Sequence, residues 1–224
     1  MTALLVAIDG PSGVGKSTTA RALAQRLSIP YVDTGAMYRA VALACLRAGV
    51  DPNDSDRVAD ALQRTDVGPG TRDGIFVVEL DGVELGDEIR TSEVSLATSR
   101  VSVHPVVRER LVELQRQFGR RHGGVFEGRD IGTVVFPEAE HKFFLEASPR
   151  VRAERRHLEL QQRGETLDLD RLEAELRERD ERDRTREHSP LRADDTYVRI
   201  DTGRLLAEEV IELLIEHIRT AQNQ

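Results

Sequence analysis

Gly10-Pro11-Ser12-Gly13-Val14-Gly15-Lys16-Ser17-Thr18 has the residue types and spacing that hold a polyphosphate, G-x-x-x-x-G-K-[ST]. Glycines let the backbone wrap closely, so that successive N–H groups and the N-terminus of a following helix point at negative charge. Lys16 would reach the β- and γ-phosphates of a bound nucleotide, and the Ser17 hydroxyl would hold Mg²⁺. Such a loop binds a nucleotide without naming the reaction.

Other charged groups could complete a site. Thr34-Gly35-x-x-x-Arg39 puts a hydroxyl at a helix start and a guanidinium one turn later, either a grip on a second phosphate or a solvated arginine. Gly128-Arg129-Asp130 follows a strand-like run, at the sheet edge where ligands gather in α/β folds. Arg129 could hold phosphate bidentately and Asp130 could accept a hydrogen bond from an exocyclic amine; the alternative is an Arg–Asp pair fixing a turn. In the charge-dense run Glu178 to Arg186, Arg179, Asp183 and Arg186 stand at i, i+4, i+7. A helix there would gather two guanidinium groups and a carboxylate on one side, a surface suited to closing over a charged ligand. Arg152 and Arg156, at i, i+4, could do the same from the first half of that arm.

The elements that must position these groups can be read from apolar periodicity. Leu4-Leu5-Val6-Ala7-Ile8 is the short continuous run of a buried parallel strand, and Ala20, Leu23, Ala24 and Leu27 form the apolar face of the next helix. Tyr31-Val32 leads into a second helix capped near Asp33-Thr34, with Met37, Val41, Ala44, Cys45 and Ala48 as its buried stripe and Gly49 at its end. A short helix near Val58 to Leu62 follows. Gly68-Pro69-Gly70 reads as a breaker cluster, and Ile75 to Leu80 followed by Asp81-Gly82 reads as a strand entering a hairpin. Thr91-Ser92 starts another helix, and Pro105 starts a longer one with Val107, Leu111, Leu114 and Phe118 in phase. Val125-Phe126-Glu127, Lys142 to Leu145 and Tyr197 to Ile200 are further strands; Arg150 to Arg186 is a poorly buried helical arm broken at Gly164. Leu206, Val210, Leu213, Leu214 and His217 mark a closing helix. The expected fold is α/β, a parallel sheet flanked by helices with a β-containing insert and a charged helical arm.

Composition excludes several classes. The chain has 224 residues, enough for one sizeable core, and a formal net charge of −8, which argues against a nucleic-acid polymer as partner. Cys45 is the sole cysteine, so neither an intrachain disulfide nor a cysteine-built zinc site can form, and a small core residue is the expected role. No export signal or membrane-spanning run is visible, so a cytoplasmic, membrane-free chain is expected. Lysine occurs only at positions 16 and 142, and its retention at 16 among so many arginines suits a compact ammonium contact with phosphate. It also leaves no Asn/Thr-Lys-x-Asp guanine motif of the kind that GTP switches carry.

Taken together, the P-loop, Asp33 to Arg39, Asp87 to Thr91, Glu127-Gly128-Arg129-Asp130-Ile131-Gly132-Thr133-Val134-Val135-Phe136-Pro137 and Glu178 to Arg186 resemble bacterial cytidylate kinases, in family order across nearly the whole chain. The resemblance implies a single P-loop kinase domain: a core over about 1–33, 100–150 and 187–224, an NMP-binding region with its insert over about 34–99, and a lid over about 150–186. It implies ATP on Gly10 to Thr18, with lid arginines Arg152 and Arg156, and Mg²⁺ on Ser17. The acceptor phosphate would lie near Thr34, Arg39 and Arg129, cytosine near Ser99, Arg108 and Asp130, and ribose or phosphate near Arg179, Asp183 and Arg186. Lys16, Arg129 and Arg186 would be the catalytic cations. The implied reaction is ATP-dependent phosphorylation of CMP and dCMP by a monomer, the alternative being another nucleoside monophosphate such as UMP or AMP.

Overall fold

The computed structural model describes residues 3–72, 75–162, 164 and 167–222. In chain order the strands are β1 (Leu5–Asp9), β2 (Tyr31–Asp33), β3 (Val67–Arg72), β4 (Ile75–Leu80), β5 (Val83–Glu84), β6 (Gly124–Gly128), β7 (His141–Glu146) and β8 (Val198–Asp201). The helices are α1 (Lys16–Leu27), α2 (Thr34–Arg47), α3 (Ser55–Gln63), α4 (Ser92–Val101), α5 (Pro105–His122), α6 (Pro149–Gln162), α7 (Leu169–Thr185) and α8 (Ala207–Gln222). A 3-10 turn spans Asp87–Arg90 and a π-helical turn spans Ile131–Val135. Two compact units emerge: Leu5–Ser28 with Val125–Gln224, and Ile29–Gly124 with the chain's start up to Leu4.

The first of these units carries four of the five strands of the larger sheet, in the order β6-β1-β7-β8. β1 and β7 pair in parallel with Ile8 opposite Phe143, and β7 and β8 pair in parallel with Leu145 opposite Ile200. Helices on both faces leave such strands no exposed side, which is why they read as unbroken apolar runs. Ile8, Phe143 and Leu145 are fully buried, each stabilising the fold by roughly 2 kcal/mol.

One expectation needs correction in this unit and another needs refining. The buried face of α8 is Val210, Ile211, Leu214, Ile215 and Ile218, whereas Leu213 is 45% exposed, His217 is exposed, and Leu206 precedes the helix at 73% exposure. α8 carries more apolar residues than one stripe can use, so packing chose the phase. The charged arm, α6 and α7, is less bare than its composition suggests. Ala153, Leu160 and Leu172 are buried together, with Leu167, Leu169 and Leu176 against them. Leucines too sparse for a stripe on either helix form a small core when the two are put together.

The other unit has its own core, centred on α2. Asp33 caps that helix by accepting from Ala36 N at 3.0 Å, and Met37, Ala40, Val41, Ala42 and Cys45 are almost wholly buried. Ala48, expected in the stripe, is exposed because the helix has already ended. The Gly68-Pro69-Gly70 cluster is not a break. It lies within β3, antiparallel to β4 with Pro69 opposite Val78. β3 is an outer strand of the sheet β3-β4-β5, where a proline's missing N–H need not interrupt a ladder. Asp81 and Gly82 both have positive φ, 53° and 76°, the requirement of a two-residue hairpin turn. Thr91 caps α4 by accepting from Val94 N at 3.2 Å, and Pro105 opens α5 as expected.

Candidate functional site

The phosphate-binding loop joins β1 to α1. A Cβ on Gly10 would lie 2.2 Å from the Leu145 carbonyl oxygen, so the close passage of the loop over β7 admits only glycine there. Gly15, at φ 93°, turns the chain into α1, a conformation costly for any residue with a Cβ. Lys16 is buried and donates from Nζ to the Pro11 carbonyl at 2.7 Å, folding back over its own loop. Burial, assisted by the Arg129 charge, brings its pKa down to about 7, while Glu127 and Asp9 oppose that shift. Ser17 Oγ donates to Glu127 Oε2 at 3.0 Å.

Beside the loop lies a dense charge cluster. Arg129, just past β6, donates from Nε to Asp183 Oδ2 at 2.9 Å. Burial would raise the Asp183 carboxyl, but Arg129, Arg179 and Arg186 more than offset it and hold its pKa below the usual aspartate value. Asp130 and Arg186, both almost fully buried, approach within 3.9 Å. The helical geometry expected for this group holds only in part: α7 ends at Thr185, and Arg186 is extended at φ −59°, ψ 140°. It reaches Asp130 from the connection that follows, where its Nε donates to Ser189 O at 2.5 Å.

Arg152 and Arg156 part company. Arg152, 2% exposed at its side chain, donates to Ser12 O in the phosphate loop at 3.0 Å and to Ala147 O at 3.1 Å, and pairs with the buried Asp180 carboxylate. Arg156 points outward, in a 3.2 Å pair with Glu159. A cavity of about 560 Å³ opens here, lined among others by Pro11, Phe144, Glu146, Arg152, Asp180 and Asp201.

In the unit built on α2, Arg39 Nη2 donates to Asp33 Oδ2 at 2.6 Å, which brings its guanidinium back to the helix start beside buried Thr34. A Cβ on Gly35 would crowd Arg39 Nη1 at 3.0 Å, so glycine there gives the guanidinium room. Arg108 is 4% exposed, lies over the Tyr38 ring at 5.5 Å and donates to Ser102 O at 3.3 Å. Ser99 is half-buried near the end of α4. A larger concavity of about 820 Å³, between β3 and α5, takes in none of these residues.

Sequence reading passed over Asp9, although a carboxylate closing a buried apolar strand was a visible signal. Asp9 is 0% exposed and accepts from Ile131 N and Gly132 N, each at 2.9 Å, and from Tyr197 Oη at 2.7 Å. Burial pushes its pKa up to about 6, the three hydrogen bonds holding it from rising further. Glu127, Tyr38 and Asp180 likewise emerge only from their contacts.

The donor set near the loop fits a hard divalent cation. The Ser17 hydroxyl and Glu127 carboxylate are both oxygen donors. Among the described residues there is no group of three His, Cys, Asp or Glu side chains that could hold a metal ion. Nor, among those residues, is any helix long and apolar enough to cross a membrane.

Comparison with known proteins follows the same lines. The family model described as cytidylate kinase matches residues 6–220. The chain is 48% identical over 219 residues to a cytidylate kinase of Syntrophotalea carbinolica, covering 98% of this chain and 93% of that one. It is 46% identical over 220 residues to a cytidylate kinase of Mycobacterium leprae, covering 98% and 97%. Among solved structures, an uncharacterized protein from Eubacterium ventriosum shares the fold with a TM-score of 0.51 at 10% identity, covering 96% of this chain and 98% of that one.

Proposed function

The chain belongs to the cytidylate kinase family, and from that premise we propose that it transfers the γ-phosphoryl group of ATP to CMP, and to dCMP, giving ADP and the nucleoside diphosphate. The observation that carries this reading is the convergence of Lys16, Arg129, Asp130, Asp183 and Arg186 beside the phosphate loop. Phosphoryl transfer needs positioning and charge neutralisation far more than covalent help from the protein, and these are the groups that supply both.

In this reading Gly10 to Thr18 take the triphosphate and Lys16 exchanges the Pro11 carbonyl for phosphate oxygens. Ser17, with Glu127 beside it, would hold Mg²⁺, which supplies neutralisation of the donor phosphates. Arg129 and Arg186 balance the charge spreading over the transferred group. Thr34 and Arg39 hold the acceptor phosphate together with Arg129. Arg108, Ser99 and Asp130 read the cytosine, and Arg179 and Asp183 the ribose or phosphate. The acceptor oxygen is already anionic, so no side chain is asked to remove a proton, and Asp130 selects substrate. Arg156 remains a lid arginine for ATP, whereas Arg152 serves ATP through the loop it fastens. Residues 34–99 act as the NMP-binding region and 150–186 as the lid of one kinase domain, working as a cytoplasmic monomer.

The test is a panel of acceptors, CMP, dCMP, UMP and AMP, with MgATP and purified protein. CMP and dCMP should be phosphorylated with the highest kcat/KM. A clear preference for UMP or AMP would overturn the proposal.

A further inference from the structure

We propose that Asp9 is a positioning residue for the reaction, its carboxylate fixing the segment that presents Arg129 and Asp130 against the start of the phosphate loop. Asp9 is the last residue of β1 and is bonded directly to Gly10. Its Oδ1 accepts from Ile131 N and its Oδ2 from Gly132 N and Tyr197 Oη. The two amides immediately follow Asp130, so the carboxylate sets where the Arg129-Asp130 backbone stands. No residue larger than glycine fits at position 132, where a Cβ would come 2.6 Å from Tyr197 Oη and 3.0 Å from Lys142 Cδ.

The far end of the segment is held too. Lys142 Nζ donates to Pro137 O at 2.5 Å and to Thr196 Oγ1 at 3.2 Å, and Thr196 neighbours Tyr197. The second lysine of the chain thus closes the same clamp that Asp9 opens. A carboxylate at zero exposure is costly to bury. It is retained where three donors converge on one side chain, because only an acceptor with two oxygens and no N–H can meet all of them. An asparagine would turn an amide N–H toward at least one donor. The charged partners of the presented residues, Asp183 for Arg129 and Arg186 for Asp130, then find both in register.

This inference rests on the assignment of Arg129 and Asp130 to the acceptor. Asp9→Asn, Tyr197→Phe and Asp130→Ala are compared by steady-state kinetics with CMP varied at saturating MgATP, after folding is checked by circular dichroism and thermal melting. Affinity for a non-hydrolysable ATP analogue is measured separately by calorimetry. Asp9→Asn should raise the KM for CMP at least tenfold while analogue affinity stays within threefold. Tyr197→Phe, which removes one of three hydrogen bonds, should move KM the same way by several-fold, and the double variant should be no worse than Asp9→Asn alone. A merely structural role would lower the melting temperature and leave these constants of the folded protein in place. Folded Asp9→Asn with KM for CMP within twofold of the parent, or with analogue affinity falling in step, overturns the proposal. If Asp9→Asn does not fold, an unchanged KM in Tyr197→Phe overturns it instead. Asp130→Ala separates the two ideas: if it leaves KM for CMP unaltered, the acceptor assignment falls and this inference with it. If Asp130→Ala raises KM and Asp9→Asn does not, this inference alone falls.

Discussion

Lys16 and His141 show how one side chain's surroundings set what it can do. Lys16 Nζ donates to a carbonyl of its own loop, and burial together with the charges of Arg129 and Arg179 makes its ammonium form costly, which a bound phosphate would relieve. Lys16→Ala should therefore leave the fold intact and lower kcat by 10²-fold or more, on the order of 3 kcal/mol of transition-state stabilisation, measured by initial rates with MgATP and CMP. His141 is the opposite case. It is 1% exposed, neither ring nitrogen has a hydrogen-bond partner among the described residues, and its ring lies 6.3 Å from that of His217. Burial holds its pKa below the ordinary value of 6.5. A histidine with a depressed folded pKa binds its proton more readily in the unfolded chain, so stability drains away as pH falls through about 6.5. His141→Phe should stabilise by about 1 kcal/mol at pH 7.5 and by more at pH 5.5, read from urea unfolding at the two pH values. Equal gains at both would show that titration has no part in it.

At the scale of elements, α6 and α7 are pinned by one buried ion pair and a handful of leucines. Arg152 and Asp180 are 2% and 8% exposed at their side chains, and the same guanidinium holds Ser12 O in the phosphate loop. Asp180→Leu alone leaves a buried cation unpaired and should cost about 3 to 5 kcal/mol, seen as lost hydrogen-exchange protection across α7. Arg152→Met with Asp180→Leu should recover most of that stability, since an apolar pair of similar volume replaces both charges. Activity should nonetheless fall in the double variant, because Ser12 O in the loop then loses the Arg152 donor that Asp180→Leu alone leaves in place. α8 offers a sharper contrast between neighbours in sequence. Leu214 is fully buried and Leu213 is 45% exposed, so Leu214→Ala should cost about 2 to 5 kcal/mol and Leu213→Gln less than about 0.5 kcal/mol in denaturant melts.

For the whole molecule, ligand linkage gives the broadest check. A nucleotide that binds only the folded chain stabilises it by RT ln(1 + [L]/Kd), about 2.7 kcal/mol at a hundredfold excess over Kd. MgATP should raise the melting temperature accordingly, and removal of the metal with EDTA should shrink the rise if Ser17 and Glu127 hold it. Much of this molecule was legible in the residues alone. The phosphate loop, the α/β alternation, the caps at Asp33 and Thr91, the helix start at Pro105 and the Asp81-Gly82 hairpin turn depend on backbone geometry and spacing within a few residues, and local rules govern both. The family likeness followed from motifs of the same short range. Other features escaped because they depend on residues far apart in the chain. Gly68-Pro69-Gly70 is a strand because its neighbour makes it an outer one, and the face of α8 was chosen among several apolar tracks by what packs on it. Arg152 reaches Ser12 across 140 positions, and Asp9 meets Tyr197 across 188. Spacing along the chain thus determined which groups could meet a phosphate. Only the tertiary structure decided which charges neutralise one another beside it, because burial and partner distance, which set hydrogen bonding and protonation, exist only once distant segments are brought together.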